Sequence, residues 1–165
     1  TSNLMVELLR GIKAGIVAGI IYGALAAGWA FAGFTIIASL LGIPITPPPF
    51  GGKYVTWRVN PLAGLIVGPI FGIILGTIYA FIYNRLPEKT FLKWTVSMTK
   101  GAILTLIVWI IMFLITVPTG FSTGLFFHEL EEYRTLQIIM TAFAFWLFII
   151  LGQQIGYFWD KFKPK

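Results

Sequence analysis

The chain of 165 residues has no cysteine and one histidine. Disulfides, thiol nucleophiles and thiolate metal or cluster sites are therefore excluded, and haem cannot be held between paired histidines. Charge is scarce as well. Only 11% of residues are Asp, Glu, Lys or Arg, against ~25% in an ordinary soluble domain. So few charges leave a water-facing surface without polar cover. Acidic groups are the scarcest of all: six, against twelve basic residues. No Asp, Glu or His stands between residues 14 and 83, between 101 and 117, or between 135 and 159. Proton relays and membrane catalysts usually need ionisable groups at such depths, so neither is expected, and no cofactor is.

What fills those stretches is apolar. Hydrophobic residues make up 58% of the chain, in runs long enough to cross a ~30 Å hydrocarbon core. Four runs stand out, at about 11–43, 61–83, 101–117 and 135–159. They do not alternate as barrel strands would. The expected fold is an all-α polytopic membrane protein, a single domain of four transmembrane helices. The first run, ~50 Å as one helix, must tilt and protrude or break near Gly28, Gly33 or Gly42, with Pro44 ending it. It is too long for the apolar segment of a signal peptide.

The basic residues cluster on one side of this arrangement. Arg10, Lys13, Arg85, Lys89, Lys93, Lys100, Lys161, Lys163 and Lys165 fall on one side and only Lys53, Arg58 and Arg134 on the other. That is a positive-inside pattern, which places both termini in the cytoplasm. The expected location is the plasma membrane of a prokaryote. The net charge of +6 then meets anionic headgroups rather than nucleic acid. Within "PEKTFLKWTVSMTK", Lys89, Lys93 and Lys100 share one side of a helical wheel and Phe91, Trp94 and Met98 the other. The spacing predicts an amphipathic interfacial helix over about 88–100, with those three lysines at the membrane surface.

Glycine is abundant, and it is ordered. Gly11, Gly15, Gly19 and Gly23 fall four apart, as do Gly64, Gly68, Gly72 and Gly76. Residues four apart share a helix face. Each glycine weakens a helix by ~1 kcal/mol relative to alanine, but in lipid small residues let helix backbones approach and gain dispersion contacts. The ladders are expected to be helix-packing faces, meeting each other as a hairpin or meeting another chain. The third and fourth runs lack full ladders, although Gly152 and Gly156 repeat the spacing. Gln153, Gln154, Tyr22, Thr77, Tyr79 and Thr105 are the polar groups deepest in the runs. They are read as hydrogen-bonding between helices, with a neutral-solute path as the rival.

His128, Glu131 and Glu132 lie at helical spacing in "FFHELEEYR" and form a weak candidate metal set. An acidic helix start explains the same residues without a metal. "VGPIFGIILG" (67–76) resembles the glycine-proline-rich helix in substrate-binding subunits of energy-coupling-factor vitamin transporters. The resemblance covers ten residues, and that family has six spans against the four read here, so nothing is carried over from it. The expected function is non-enzymatic: a small accessory or structural subunit of a larger membrane complex, with lipids and other subunits as partners. The alternatives are a homo-oligomeric transporter or channel for a small neutral or lipophilic solute, and a lipid-interacting protein.

Overall fold

The computed structural model describes residues 2–43, 61–119 and 134–164. Every regular element among them is helical. Helix α1 spans Ser2–Ala32 and continues without a break through a π-helical segment, Gly33–Ile37, into a last turn, α2, Ala38–Leu40. The others are α3 (Pro61–Ile82, followed by a 3-10 turn, Tyr83–Arg85), α4 (Val96–Thr119) and α5 (Arg134–Lys161). Three helices are long and apolar enough to cross a membrane: Ile66–Arg85, Val96–Ile115 and Arg134–Lys161. Their outward faces carry large apolar side chains, among them Ile70, Ile74, Ile107, Leu114, Ile138 and Trp146.

The first helix starts nine residues before the expected apolar boundary at 11. "NLMVELLR" has no helix breaker, so the helix extends back through it. Neither Gly28 nor Gly33 interrupts the rod, which reaches Leu40 and is ~60 Å long. Gly33 opens the π segment, where the backbone hydrogen bonds lengthen by one residue without parting. The stop is Gly42, at φ +71°. The Ile43 N–H donates to the Ala38 carbonyl (2.9 Å) and the Gly42 N–H to the Ser39 carbonyl (3.1 Å). This pair of bonds closes a helix on a left-handed glycine, two residues before the proline expected to end it. At the start of α3, Pro61 occupies a position where the missing N–H costs nothing.

The expected interfacial helix over about 88–100 is helical only from Val96. Two local features prevent the rest. The Trp94 N–H donates to the Phe91 carbonyl (3.0 Å), closing a turn with Leu92 at φ +55°, a left-handed conformation that costs a non-glycine residue ~1–2 kcal/mol and cannot continue a right-handed helix. Thr95 then accepts the Met98 N–H on its hydroxyl (3.2 Å), which is how an N-cap residue starts a helix.

The helices pack in the order α3, α1, α5, α4, with α1 most intimately against α3, α4 against α5, and α1 joining the two pairs through α5. Along α1 and α3, Gly11, Gly15 and Gly19 stand opposite Gly76, Gly72 and Gly68. A Cβ built on any of these three α1 glycines would collide with the carbonyl of its partner. Gly23 belongs to the same face, its Cα lying 2.7 Å from a Cβ built at Gly68, and Gly64 lies near the start of α3. Antiparallel α4 and α5 make a second close approach. A Cβ at Gly101 would meet the Gly152 carbonyl, and one at Gly156 would meet the Ser97 carbonyl and come within 2.7 Å of the Met98 Cα. The common core contains Ala14, Ala18, Leu75, Leu104, Leu151 and Ile155. Tyr22 packs edge-on against Phe148 in the same core (6.1 Å).

Candidate functional site

The side-chain hydrogen bonds that join different helices gather mainly at one end of the bundle, where α1 and α4 begin and α3 and α5 end. Ser97, in the first turn of α4, is the centre. Its hydroxyl donates to an Asp160 carboxylate oxygen (2.7 Å) and lies 3.0 Å from the Tyr83 hydroxyl. Its carbonyl accepts the Tyr79 hydroxyl (2.8 Å). Thr95 makes a longer contact with the other Asp160 oxygen (3.4 Å). Three helices are tied through one serine: α3 through Tyr79 and, in the turn after it, Tyr83; α4 through Ser97 itself; and α5 through Asp160. Close approach makes this possible, because Gly156 brings the α5 backbone against that of α4 one turn before Asp160.

Two cations close the same end, each in the same way. Arg10, from α1, donates from Nε to the Trp159 carbonyl (2.6 Å) and lies over the Trp159 ring, 4.1 Å from its centroid. Lys100, from α4, donates from Nζ to the Tyr83 carbonyl (2.8 Å) and lies over the Tyr83 ring at 3.9 Å. Each cation thus satisfies a carbonyl at the C-terminal end of a neighbouring helix, Trp159 in the last turn of α5 and Tyr83 in the 3-10 turn that follows α3. There the helix dipole favours positive charge, and each cation uses the ring of the same residue for a cation–π contact. Arg10 reaches from the α1–α3 pair to the α4–α5 pair, and Lys100 reaches back. Burial pulls the Arg10 guanidinium below its ordinary value; Asp160, the nearby tyrosines and Glu7 oppose that pull. Arginine remains charged regardless. Tyr79, Tyr83 and Trp159 fill the space between, with ring centroids 5.2–5.4 Å apart.

Lys100 was expected at the membrane surface with Lys89 and Lys93. The structure separates them. Lys89 and Lys93 are exposed in the connection before α4, whereas Lys100 is 0% exposed and 3.7 Å from the outward-lying Glu88. Its long stem lets the amine reach the Tyr83 carbonyl, so an aromatic-lined internal position satisfies it.

The deeper polar groups make mostly local bonds. The Thr77 hydroxyl donates to the Ile73 carbonyl and that of Thr105 to the carbonyls of Gly101 and Ala102, all on their own helices. The Gln154 amide donates to Gln153 (2.8 Å). Tyr79 does bond between helices, through Ser97. At the opposite end, the Trp29 indole donates to the Met140 carbonyl (3.3 Å) and its ring lies 4.1 Å from that of Phe143. His128, Glu131 and Glu132, and the proline-rich connection at 44–60, lie outside the described residues. Among the described residues no three His, Asp or Glu side chains group as a metal site.

The assembly at Ser97 is suited to joining helices. Ser97 is 4% exposed, and both its hydroxyl and its carbonyl are engaged by neighbouring helices. From the sequence, Arg10 and Asp160 read only as charges at the ends of spans, and Lys100 as a membrane-surface lysine. A second spacing of four, Ser97, Gly101 and Thr105 on α4 and Gly152, Gly156 and Asp160 on α5, marks the α4–α5 contact but reaches neither Arg10 nor Lys100. The described chain is thus an all-helical protein with three membrane-length apolar helices, held at one end by a polar cluster. No family model, curated protein or solved structure matches it.

Proposed function

We propose that the protein is a non-enzymatic integral membrane protein of four spans, acting as a small accessory or structural subunit of a larger membrane complex. α1 supplies the fourth span. Its ~60 Å length exceeds a ~30 Å hydrocarbon core, so it tilts and projects beyond the bilayer at one or both ends. The charge asymmetry puts both termini and the polar cluster on the cytoplasmic side, in the plasma membrane of a prokaryote. The two glycine ladders are the seam of the α1–α3 hairpin. The observation that carries the reading is the assignment of polar groups. Thr77, Thr105, Gln153 and Gln154 bond within the chain, Arg10 and Lys100 bond carbonyls near helix ends, and large apolar side chains stand on the outward faces. That division suits a protein whose work lies at its surfaces. The transport alternative draws less support, because the ladder faces of α1 and α3 meet backbone to backbone and Gln153 and Gln154 bond each other.

The test is the native mass of the tagged chain extracted from its own membrane in mild detergent. The proposal predicts a defined complex, with other subunits in fixed stoichiometry, heavier than the 18.4 kDa chain. A uniform 18.4 kDa species would overturn it, and an assembly of this chain alone would favour the homo-oligomeric transporter.

A further inference from the structure

The turn between α3 and α4 is built unlike a water-facing loop. Its tip holds Phe91 and Leu92, exposed at 57% and 80%, where a soluble turn would carry glycine, asparagine or aspartate. Leu92 is left-handed at φ +55°, a conformation those residues adopt far more readily. The tip is nonetheless braced, by the Trp94 N–H bond to the Phe91 carbonyl and by the Trp94 ring packed edge-on against Phe91 at 5.7 Å. On either side stand exposed Lys89 and Lys93. Of the acids beside the turn, Glu88 lies 3.7 Å from the internal Lys100 and Asp160 is engaged by Ser97 and Thr95, so the charges carried by residues 89–94 themselves are the two lysines. The turn also lies just beyond the ends of two membrane-length helices, Ile66–Arg85 and Val96–Ile115.

We infer that the Lys89–Trp94 turn is a lipid-binding tip that inserts Phe91 and Leu92 at the acyl boundary of an anionic leaflet while Lys89 and Lys93 meet lipid phosphates. The inference rests on the membrane reading above. Apolar side chains on a tip flanked by lysines match a surface whose phosphates lie just above hydrocarbon. The turn reaches that boundary without the helix that an interfacial segment ordinarily uses.

The absence of cysteine gives a direct test. Leu92→Cys in the full chain is nitroxide-labelled and reconstituted into bilayer discs of phosphatidylcholine, alone or mixed equally with phosphatidylglycerol. Collision with oxygen, which enters lipid, is compared with collision with a neutral nickel chelate, which stays in water. Two lysines near an anionic surface should raise the oxygen-to-chelate ratio on the order of tenfold in the anionic discs. Lys89→Glu combined with Lys93→Glu should abolish the rise. A low ratio in both lipids overturns the proposal and leaves the tip to a protein partner. A high ratio in both overturns the anionic requirement and with it the proposal. A label at Ile74→Cys, on the outward face of α3, separates the two readings. It should favour oxygen in both discs, and a water-like value there overturns the membrane reading along with the tip.

Discussion

Helices α1 and α3 meet through glycine on both sides, whereas α4 and α5 meet through glycine on one side and serine, glycine and threonine on the other. The first pair is joined by close approach: Gly11, Gly15 and Gly19 lie against Gly76, Gly72 and Gly68, with the Ala80 methyl the one side chain among the nearest atoms at these three α1 glycines. In the second pair, the Thr105 hydroxyl already stands where a Cβ at Gly152 would go, and the contact ends in the Ser97–Asp160 hydrogen bond. Both pairs gain dispersion contacts that larger residues would prevent. Only the second has side-chain hydroxyls at hand where two backbones come close, and there the bonds between the pairs collect, apart from the Trp29–Met140 bond at the opposite end. Hydroxyl-bearing small residues can therefore serve as spacer and as connector at once.

That difference also separates what was readable in the sequence from what was not. The helical class and the apolar stretches that became α3, α4 and α5 were legible, because runs of ~20 apolar residues without alternation permit little else. Local backbone chemistry was harder to read. The wheel over 88–100 placed Lys89, Lys93 and Lys100 on one face, yet wheels assume a helix, and a left-handed Leu92 with a capping Thr95 removes its first half. Lys100 was misplaced for a different reason: it does lie on α4, but its destination depends on where the C-terminal end of α3 falls, which spacing along α4 does not contain. Ser97, Gly101 and Thr105 went unread because the repeat mixes residue types, although what close packing requires is small size. The partners of Arg10 and Asp160, 149 and 63 residues away along the chain, are set by tertiary packing alone.

The comparison can be broken most severely at the glycines. Gly72→Leu in the first pair and Gly152→Leu in the second each push a side chain into backbone carbonyls that cannot rotate away. Overpacking ordinarily costs ~1–3 kcal/mol and occasionally more; both variants are expected at or above that upper end. Loss of the folded fraction in a detergent-titration unfolding experiment would register it. If only Gly72→Leu unfolds the protein, the α4–α5 pair is held by its polar end and not by close approach.

A smaller effect is expected at the polar end. Asp160→Ala leaves the buried Ser97 hydroxyl without its carboxylate acceptor, at a cost of about 1–3 kcal/mol. Tyr79→Phe removes one donor from the Ser97 carbonyl, at about 1 kcal/mol. Because both bonds converge on Ser97, the double variant should cost measurably less or more than the two losses added. Strict additivity in the same unfolding assay would mean that the two bonds act independently, and the cluster would then be a set of separate contacts.

The smallest change tests the central claim most directly, that these glycines are contact surfaces and not merely tolerated in lipid. Gly15 and Gly28 lie on the same helix. A Cβ at Gly15 meets the Gly72 carbonyl, whereas one at Gly28 meets nothing within 4 Å. Helix propensity alone favours alanine by up to ~1 kcal/mol at both positions. Unfolding free energies of Gly15→Ala and Gly28→Ala, measured side by side in the same detergent, should therefore change with opposite sign: Gly15→Ala less stable than the parent chain, Gly28→Ala equal or more stable. Stabilisation by both would contradict the account, since the glycine face of α1 would then not be what holds it to α3.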